Sequence, residues 1–123
     1  MNKFRAWHKT QKKMMEIRIW DFEGLSLLKS GDRLIQARPH HFEVLQFIGL
    51  LDKNGIKIFE GDIIKNSQNN KIYVVIFRYH GFYFRRLGQK GMAHIPEAEM
   101  EVVGNVFENA NLLGSYKDVY ERF

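Results

Sequence analysis

The sequence of 123 residues contains no cysteine and only two prolines. The absence of cysteine excludes disulfides and thiolate metal sites. No apolar run approaches the roughly 20 residues of a membrane-spanning helix, so no membrane partner is expected. The N-terminal stretch is basic and lacks an apolar segment, which argues against a secretory signal and favours a cytoplasmic location. The scarcity of proline and the absence of biased tracts argue against a largely disordered chain.

The chain does contain enough apolar material for a folded core. Hydrophobic residues make up 45% of the sequence and aromatic residues 14%. A chain of this size buries about two-thirds of its surface on folding. We therefore predict one domain over residues 1–114, followed by a short helix at 115–123.

The net charge of +5 conceals a strong division along the chain. Residues 1–13 carry five bases and no acid, and residues 63–91 carry six bases and no acid. The segments 14–62 and 92–123 have net charges of −2 and −4. Two interpretations stay open: the basic segments bind a polyanion, or they pair with the acidic segments within the fold or between subunits.

Alternation of apolar and polar residues with a period of two predicts β-strands along most of the chain. It suggests a hairpin over 4–22, in which Trp7 and Trp20 are candidates to meet. Asn54-Gly55 predicts a type I′ hairpin turn. Residues 72–79 are apolar on both faces and therefore suit a central strand, and Gly104 suggests a bulge or a close backbone approach.

These patterns predict an all-β or β-dominated fold in which antiparallel hairpins form a small, partly open barrel. An α+β fold is the alternative if residues 39–48 are helical rather than extended. The C-terminal residues change to helical spacing and start with a capping pattern, Ser115 and Asp118. The resulting aromatic stripe docks on its own domain or on another subunit. The candidate interaction residues are Tyr116, Val119, Tyr120 and Phe123.

Three blocks of sequence resemble the YopX family of small proteins carried by phages and prophages. They are KFRAWHKTQKKMM at 3–15, FIGLLDKNGIKIFEGDII at 47–64 and EVVGNVFENANLL at 101–113. The chain departs from the family pattern at His8, Ala110 and Asn111. The resemblance implies a β-rich fold and a phage context in a bacterial host cell, and it carries no catalytic residues.

Metal and enzyme sites are weakly supported. The five histidines lack the spacing of a metal site, and on a strand the adjacent His40 and His41 would point to opposite sides. Glu60 and Asp62 would share one face of a strand, near Asp52, and paired carboxylates can act as acid and base. The competing interpretation is that Asp62 binds local backbone N–H groups. We expect no enzyme, cofactor, metal or small-molecule substrate, with a carboxylate hydrolase as a minor alternative.

The segment RYHGFYFRR interleaves arginines with aromatic residues. This composition is typical of single-stranded nucleic-acid binding, in which arginine and lysine side chains contact the phosphates and aromatic rings stack on the nucleobases. The alternative is that the aromatic side chains fill the core and the arginines reach solvent. The candidate nucleic-acid-binding residues are Arg78, His80, Tyr83, Arg85, Arg86 and Lys90. We predict a non-catalytic binding module of a phage accessory protein, with a homo-oligomeric interaction module as the alternative.

Overall fold

The computed structural model describes residues 3–78, 81–87 and 95–116. Within them are ten strands and three short 3-10 segments, which confirms a β-dominated fold. The chain divides into two compact units, Met1–Phe47 and Ile48–Phe123. The strands are β1 Phe4–His8, β2 Lys13–Ile19, β3 Ser26–Ser30, β4 Arg33–Ala37, β5 Phe42–Leu51, β6 Lys57–Phe59, β7 Asp62–Asn66, β8 Ile72–Arg78, β9 Gly81–Arg86 and β10 Met100–Asn105.

The first unit is an antiparallel sheet in the order β4-β3-β2-β1-β5. One face carries its core, which consists of Ala6, Met15, Leu28, Ala37 and Phe42. The suggested meeting of the two tryptophans is wrong, because the register places Trp7 opposite Met14. Trp20 lies beyond the end of β2 and contacts Phe4 edge-on, with ring centroids 5.3 Å apart.

In the second unit, the remainder of β5 neighbours β6, and a separate antiparallel sheet has the order β10-β7-β8-β9. The two faces of β8 pack into different clusters. One cluster contains Tyr73 and Val75, and the other contains Val74 and Ile76. The prediction of a central strand with two apolar faces is therefore confirmed. Neither sheet closes on itself in the described part of the chain.

The hairpin at Asn54-Gly55 forms, but its turn is not type I′. Only Gly55 has a positive φ, of 78°, whereas a type I′ turn requires positive φ at two positions. The Gly55 N–H donates to the Asp52 carbonyl at 3.0 Å, and the Asp52 N–H donates to the Ile56 carbonyl at 2.8 Å. This is the longer loop in which a type I turn precedes a left-handed residue.

Several local predictions are confirmed. Residues 39–48 are extended from Phe42 onward, after a 3-10 turn at Pro39–His41. The β10 register shifts between Val102 and Gly104. A Cβ at Gly104 would lie 2.5 Å from the Asn109 Oδ1, so the bulge is also a close approach.

The described residues contain no helix with the length and hydrophobicity that a membrane crossing requires.

The predicted C-terminal helix falls mostly outside the described residues. A 3-10 segment covers Ala110–Tyr116 and is interrupted at Gly114, whose φ is 55°. Tyr116 is 42% exposed, while Val119, Tyr120 and Phe123 lie beyond the described part. The helix, its docking site and the single domain over 1–114 therefore stay predictions.

Candidate functional site

The predicted basic and aromatic site centres on the hairpin of β8 and β9. Tyr83, Arg85 and Arg86 lie in β9, and Arg78 ends β8 opposite Gly81. His80 and Lys90 lie outside the described residues. The described portion of the site is therefore the body of the hairpin.

The strand register separates the two arginines of β9. Arg85 lies opposite Val74, and Arg86 lies opposite Tyr73. Because neighbouring residues of a strand point to opposite faces, Arg85 lies on the face of Tyr83, and Arg86 lies on the other face. The period of two already contained this information, although the predicted set of nucleic-acid-binding residues grouped both arginines together.

The face of Arg86 carries a row of aromatic residues. Phe84 packs against the cluster of Tyr73 and Val75. Nearer the hairpin loop, Phe77 lies directly opposite Phe82, and their ring centroids are 5.0 Å apart at an interplanar angle of 62°. Phe77 is 43% exposed. This face therefore combines an accessible aromatic pair with an arginine on the same strand.

Phe77 was not among the predicted site residues. The sequence contains a signal for it, because Phe77 and Phe82 stand symmetrically about the loop that joins β8 to β9. Residues placed in this way face each other across an antiparallel hairpin. The exposure of the pair depends on the other parts of the fold and has no local signal.

The face of Arg85 is more enclosed. Tyr83 packs against the cluster that includes Ile63, Val74 and Ile76, so it is partly a core residue. The Nε of Arg85 is buried and has no hydrogen-bond partner within the described part of the chain. The alternative interpretation, that aromatic residues of this segment fill the core, thus holds for Tyr83 and Phe84; the exposed ring of Phe77 lies one residue before the segment.

The question of charge pairing within the chain receives a partial answer from β7 and β10. Lys65 belongs to the basic segment, and the register places it opposite Glu101 of the acidic segment. Glu101 also lies 3.7 Å from the Nζ of Lys53. At this position the basic and acidic segments meet inside one sheet, so Lys65 is a poor candidate for an external polyanion.

Comparison with known families identifies the relatives of this chain. The YopX protein family model matches residues 3–114. The chain belongs to the YopX family. No curated protein matches it. Among solved structures it is similar to protein EF1440 from Enterococcus faecalis, with a TM-score of 0.63 and 22% identity over 90% of this chain and 96% of the other. At that identity the likeness supports the fold.

Two buried carboxylates of this YopX-family chain, those of Asp52 and Asp62, accept hydrogen bonds from backbone N–H groups. Asp62 is 1% exposed, and its Oδ2 accepts from the Phe59 N–H at 2.9 Å. This confirms the interpretation that Asp62 binds local N–H groups. The expectation that Glu60 shares a strand face with Asp62 is wrong, because Glu60 lies in the turn before β7, where Gly61 has a φ of 86°.

Asp52 is likewise buried, with 5% exposure. Its Oδ1 accepts from Asn54 at 2.8 Å and Ile56 at 2.9 Å, and its Oδ2 accepts from Val102 at 3.0 Å. Burial opposes its ionisation, but these three N–H donors and the charge of Lys53 hold the pKa of Asp52 below its ordinary value. The side chain ties the β5–β6 loop to β10.

The histidines of the family member cluster more closely than expected. His40 and His41 belong to a 3-10 turn rather than a strand, and their ring centroids are 4.1 Å apart. The ring of His41 also stacks on His8 at 6.2 Å. Even so, among the described residues no group of three His, Asp or Glu side chains is placed to hold a metal. His80 and His94 lie outside the described residues.

Proposed function

We propose that this YopX-family protein is a non-catalytic binding module that takes single-stranded nucleic acid on the Phe77–Phe82 face of the β8–β9 hairpin. The observation that carries the proposal is the edge-to-face aromatic pair, in which Phe77 is exposed and Phe82 is half-buried. The pair stands in a segment with six bases and no acid. Unpaired nucleobases stack on such rings with little sequence preference.

Arg86 supplies the complementary charge on the same face. It lies four residues from Phe82 along β9, which corresponds to roughly 13 Å along a strand. A guanidinium at that distance contacts a phosphate of the nucleic-acid strand whose base stacks on the aromatic pair. The geometry therefore favours a single nucleic-acid strand that lies along β9 with its nucleobases toward the aromatic rings.

A single strand fits this face better than a duplex. In a duplex the faces of the bases are covered by their neighbours, and proteins read only their edges from a groove. The aromatic pair lies on the surface of the β-hairpin, where its rings can stack on the faces of nucleobases rather than contact their edges. Binding should therefore be stronger for single-stranded DNA or RNA than for duplexes of the same length.

Anisotropy of labelled oligonucleotides at low salt tests the proposal. Phe77→Ala and Phe82→Ala each remove one stacking ring, worth about 1–3 kcal/mol, so we expect affinity to fall by about five-fold to over a hundred-fold. Phe22→Ala is the matched control, because Phe22 is 72% exposed in the first unit. Unchanged affinity in both hairpin variants would contradict the proposal.

The arginines provide a second comparison within the same experiment. Arg86→Ala should weaken binding, because Arg86 shares the face of the aromatic pair. Arg33→Ala is the matched control, since Arg33 is exposed on β4 of the first unit. Equal losses in Arg86→Ala and Arg33→Ala would indicate diffuse electrostatic attraction rather than a defined face.

We further propose that the module serves a phage or prophage as an accessory protein in the cytoplasm of a bacterial host. Membership of the YopX family supports this context. Fractionation of host cells that express the full chain tests the location. Recovery in the membrane or secreted fraction would contradict it.

A further inference from the structure

Strand β4 forms one end of the first unit's sheet, and β3 is its single neighbour among the described residues. Ser30 and Arg33 close the hairpin across two loop residues, so they exchange both of their hydrogen bonds. The bonding pairs alternate from there, and Leu28 pairs with Ile35 in the same way. The backbone N–H and C=O groups of Leu34 and Gln36 therefore point away from β3.

This edge is apolar where edges are usually protected. In β4, Leu34 is 59% exposed; Ile19, which is 60% exposed, belongs to β2, two strands in from the edge. Both line an open groove of about 500 Å³, together with Arg18, Leu27, Lys29 and Asp32. Edge strands of stable monomers usually carry a charge, a proline or a bulge that prevents pairing with another chain. Arg33 begins β4, and the three residues that follow it, Leu-Ile-Gln, contain none of these.

We propose that a second copy of this chain pairs with β4 in antiparallel fashion, about a two-fold axis at Ile35. In this register, Leu34 lies opposite the partner's Gln36, and their outward backbone groups form four hydrogen bonds across the two symmetric pairs. Ile35 lies opposite the partner's Ile35. The first-unit sheets of the two copies thereby join into one continuous sheet.

Charge complementarity selects this register and a second copy as the occupant. The two-fold at Ile35 places Asp32 opposite the partner's Arg38, and symmetry repeats the contact. Asp32 and Arg38 are both exposed, and Arg38 continues the extended backbone with φ −84° and ψ 160°. Opposite charges placed across neighbouring strands stabilise a pair.

The neighbouring two-fold registers lack this contact. A two-fold at Leu34 places Asp32 opposite the partner's Gln36, which carries no charge. A two-fold at Gln36 places Arg33 opposite the partner's Pro39, which carries no charge. The axis at Ile35 is therefore the register in which the outward backbone groups, the apolar side chain and the charges all match.

Sedimentation velocity over about 10 μM to about 1 mM, the range of weak interfaces, tests the proposal. Leu34→Pro removes an N–H that points away from β3, so the β3–β4 hairpin is retained while the edge is blocked. We expect this variant to be a monomer with an unchanged circular dichroism spectrum. Leu34→Ala keeps the N–H and should dimerise, although more weakly than the unaltered chain.

A charge exchange tests the register without altering the backbone. Asp32→Arg and Arg38→Asp should each weaken self-association by about ten-fold, because each creates two like-charge contacts. Mixed in equal amounts, the two variants should form a heterodimer in which both contacts are again opposite in charge. Glu23→Arg and Lys9→Asp, exposed positions outside β4, are the matched controls.

The outcomes separate clearly. Loss of the dimer in Leu34→Pro and its recovery in the charge-exchanged mixture support the proposal. A chain that stays monomeric throughout the range overturns it, as does a dimer indifferent to all four variants in and beside β4. The nucleic-acid face lies on β8 and β9 and is tested with different variants, so failure of either proposal leaves the other standing.

Discussion

Asp52 shows how one side chain organises its surroundings. Replacement by Asn retains one acceptor oxygen, while the amide NH2 must face an N–H that the carboxylate formerly bound. A buried unsatisfied donor costs about 1–3 kcal/mol, so we expect Asp52→Asn to lower the free energy of unfolding by that amount. Urea denaturation measures it. Asp21→Asn is the control, because Asp21 is exposed and binds only its own loop, at Glu23 and Gly24.

The same residue marks the limit of sequence reasoning. The turn at Asp52 was predictable from Asn54-Gly55, since its signal lies within four residues. The turn type was not, because the Asp52 carboxylate holds the loop in another geometry. Its third donor, Val102, stands 50 residues away. Equal stability of Asp52→Asn and Asp21→Asn would show that this long-range bond contributes little.

At the level of elements, alternation predicted most strands because each face of a strand meets one environment throughout its length. The pattern also places Arg85 and Arg86 on opposite faces. It does not fix register between strands, which depends on contacts such as Trp20 with Phe4. It also does not show that β4 is an edge, because strand order arises from the whole sheet.

His8, at the turn between β1 and β2, makes the folding stability depend on pH. His8 is buried, and its Nδ1 accepts from the Gln11 N–H at 3.1 Å. Burial, with the nearby His41, lowers the pKa of His8 below 6.5. The folded state therefore binds the proton less readily than the unfolded state, and this contribution to stability is complete above pH 6.5 and declines as the pH falls toward the lowered pKa.

Thermal unfolding between pH 7.5 and pH 5 measures this effect, a range that spans the ordinary titration of histidine near 6.5. We expect the melting temperature of the unaltered chain to fall across the range. His8→Gln keeps a polar group that does not titrate, so its melting temperature should decline less. His40→Gln, at an exposed position of the neighbouring turn, is the matched control. Parallel curves for His8→Gln and the unaltered chain would contradict the assignment.

At the scale of the whole molecule, the fold distributes the charge that the sequence concentrates. The segment 63–91 holds six bases, but the sheet sends Arg85 and Arg86 to opposite faces and places Lys65 opposite Glu101. A nucleic-acid strand on the Phe77–Phe82 face should therefore neutralise about four phosphates or fewer, rather than six. The salt dependence of binding counts them directly.

For single strands the slope of log affinity against log salt is about −0.7 per phosphate neutralised. Between about 50 and 200 mM salt, four contacts predict a loss of roughly 50-fold, and six predict roughly 300-fold. We expect the smaller loss, and Arg86→Ala should reduce the slope by about one contact while Phe77→Ala leaves it unchanged. A loss near 300-fold would show that the whole basic segment acts as one surface and that the division into faces does not govern binding.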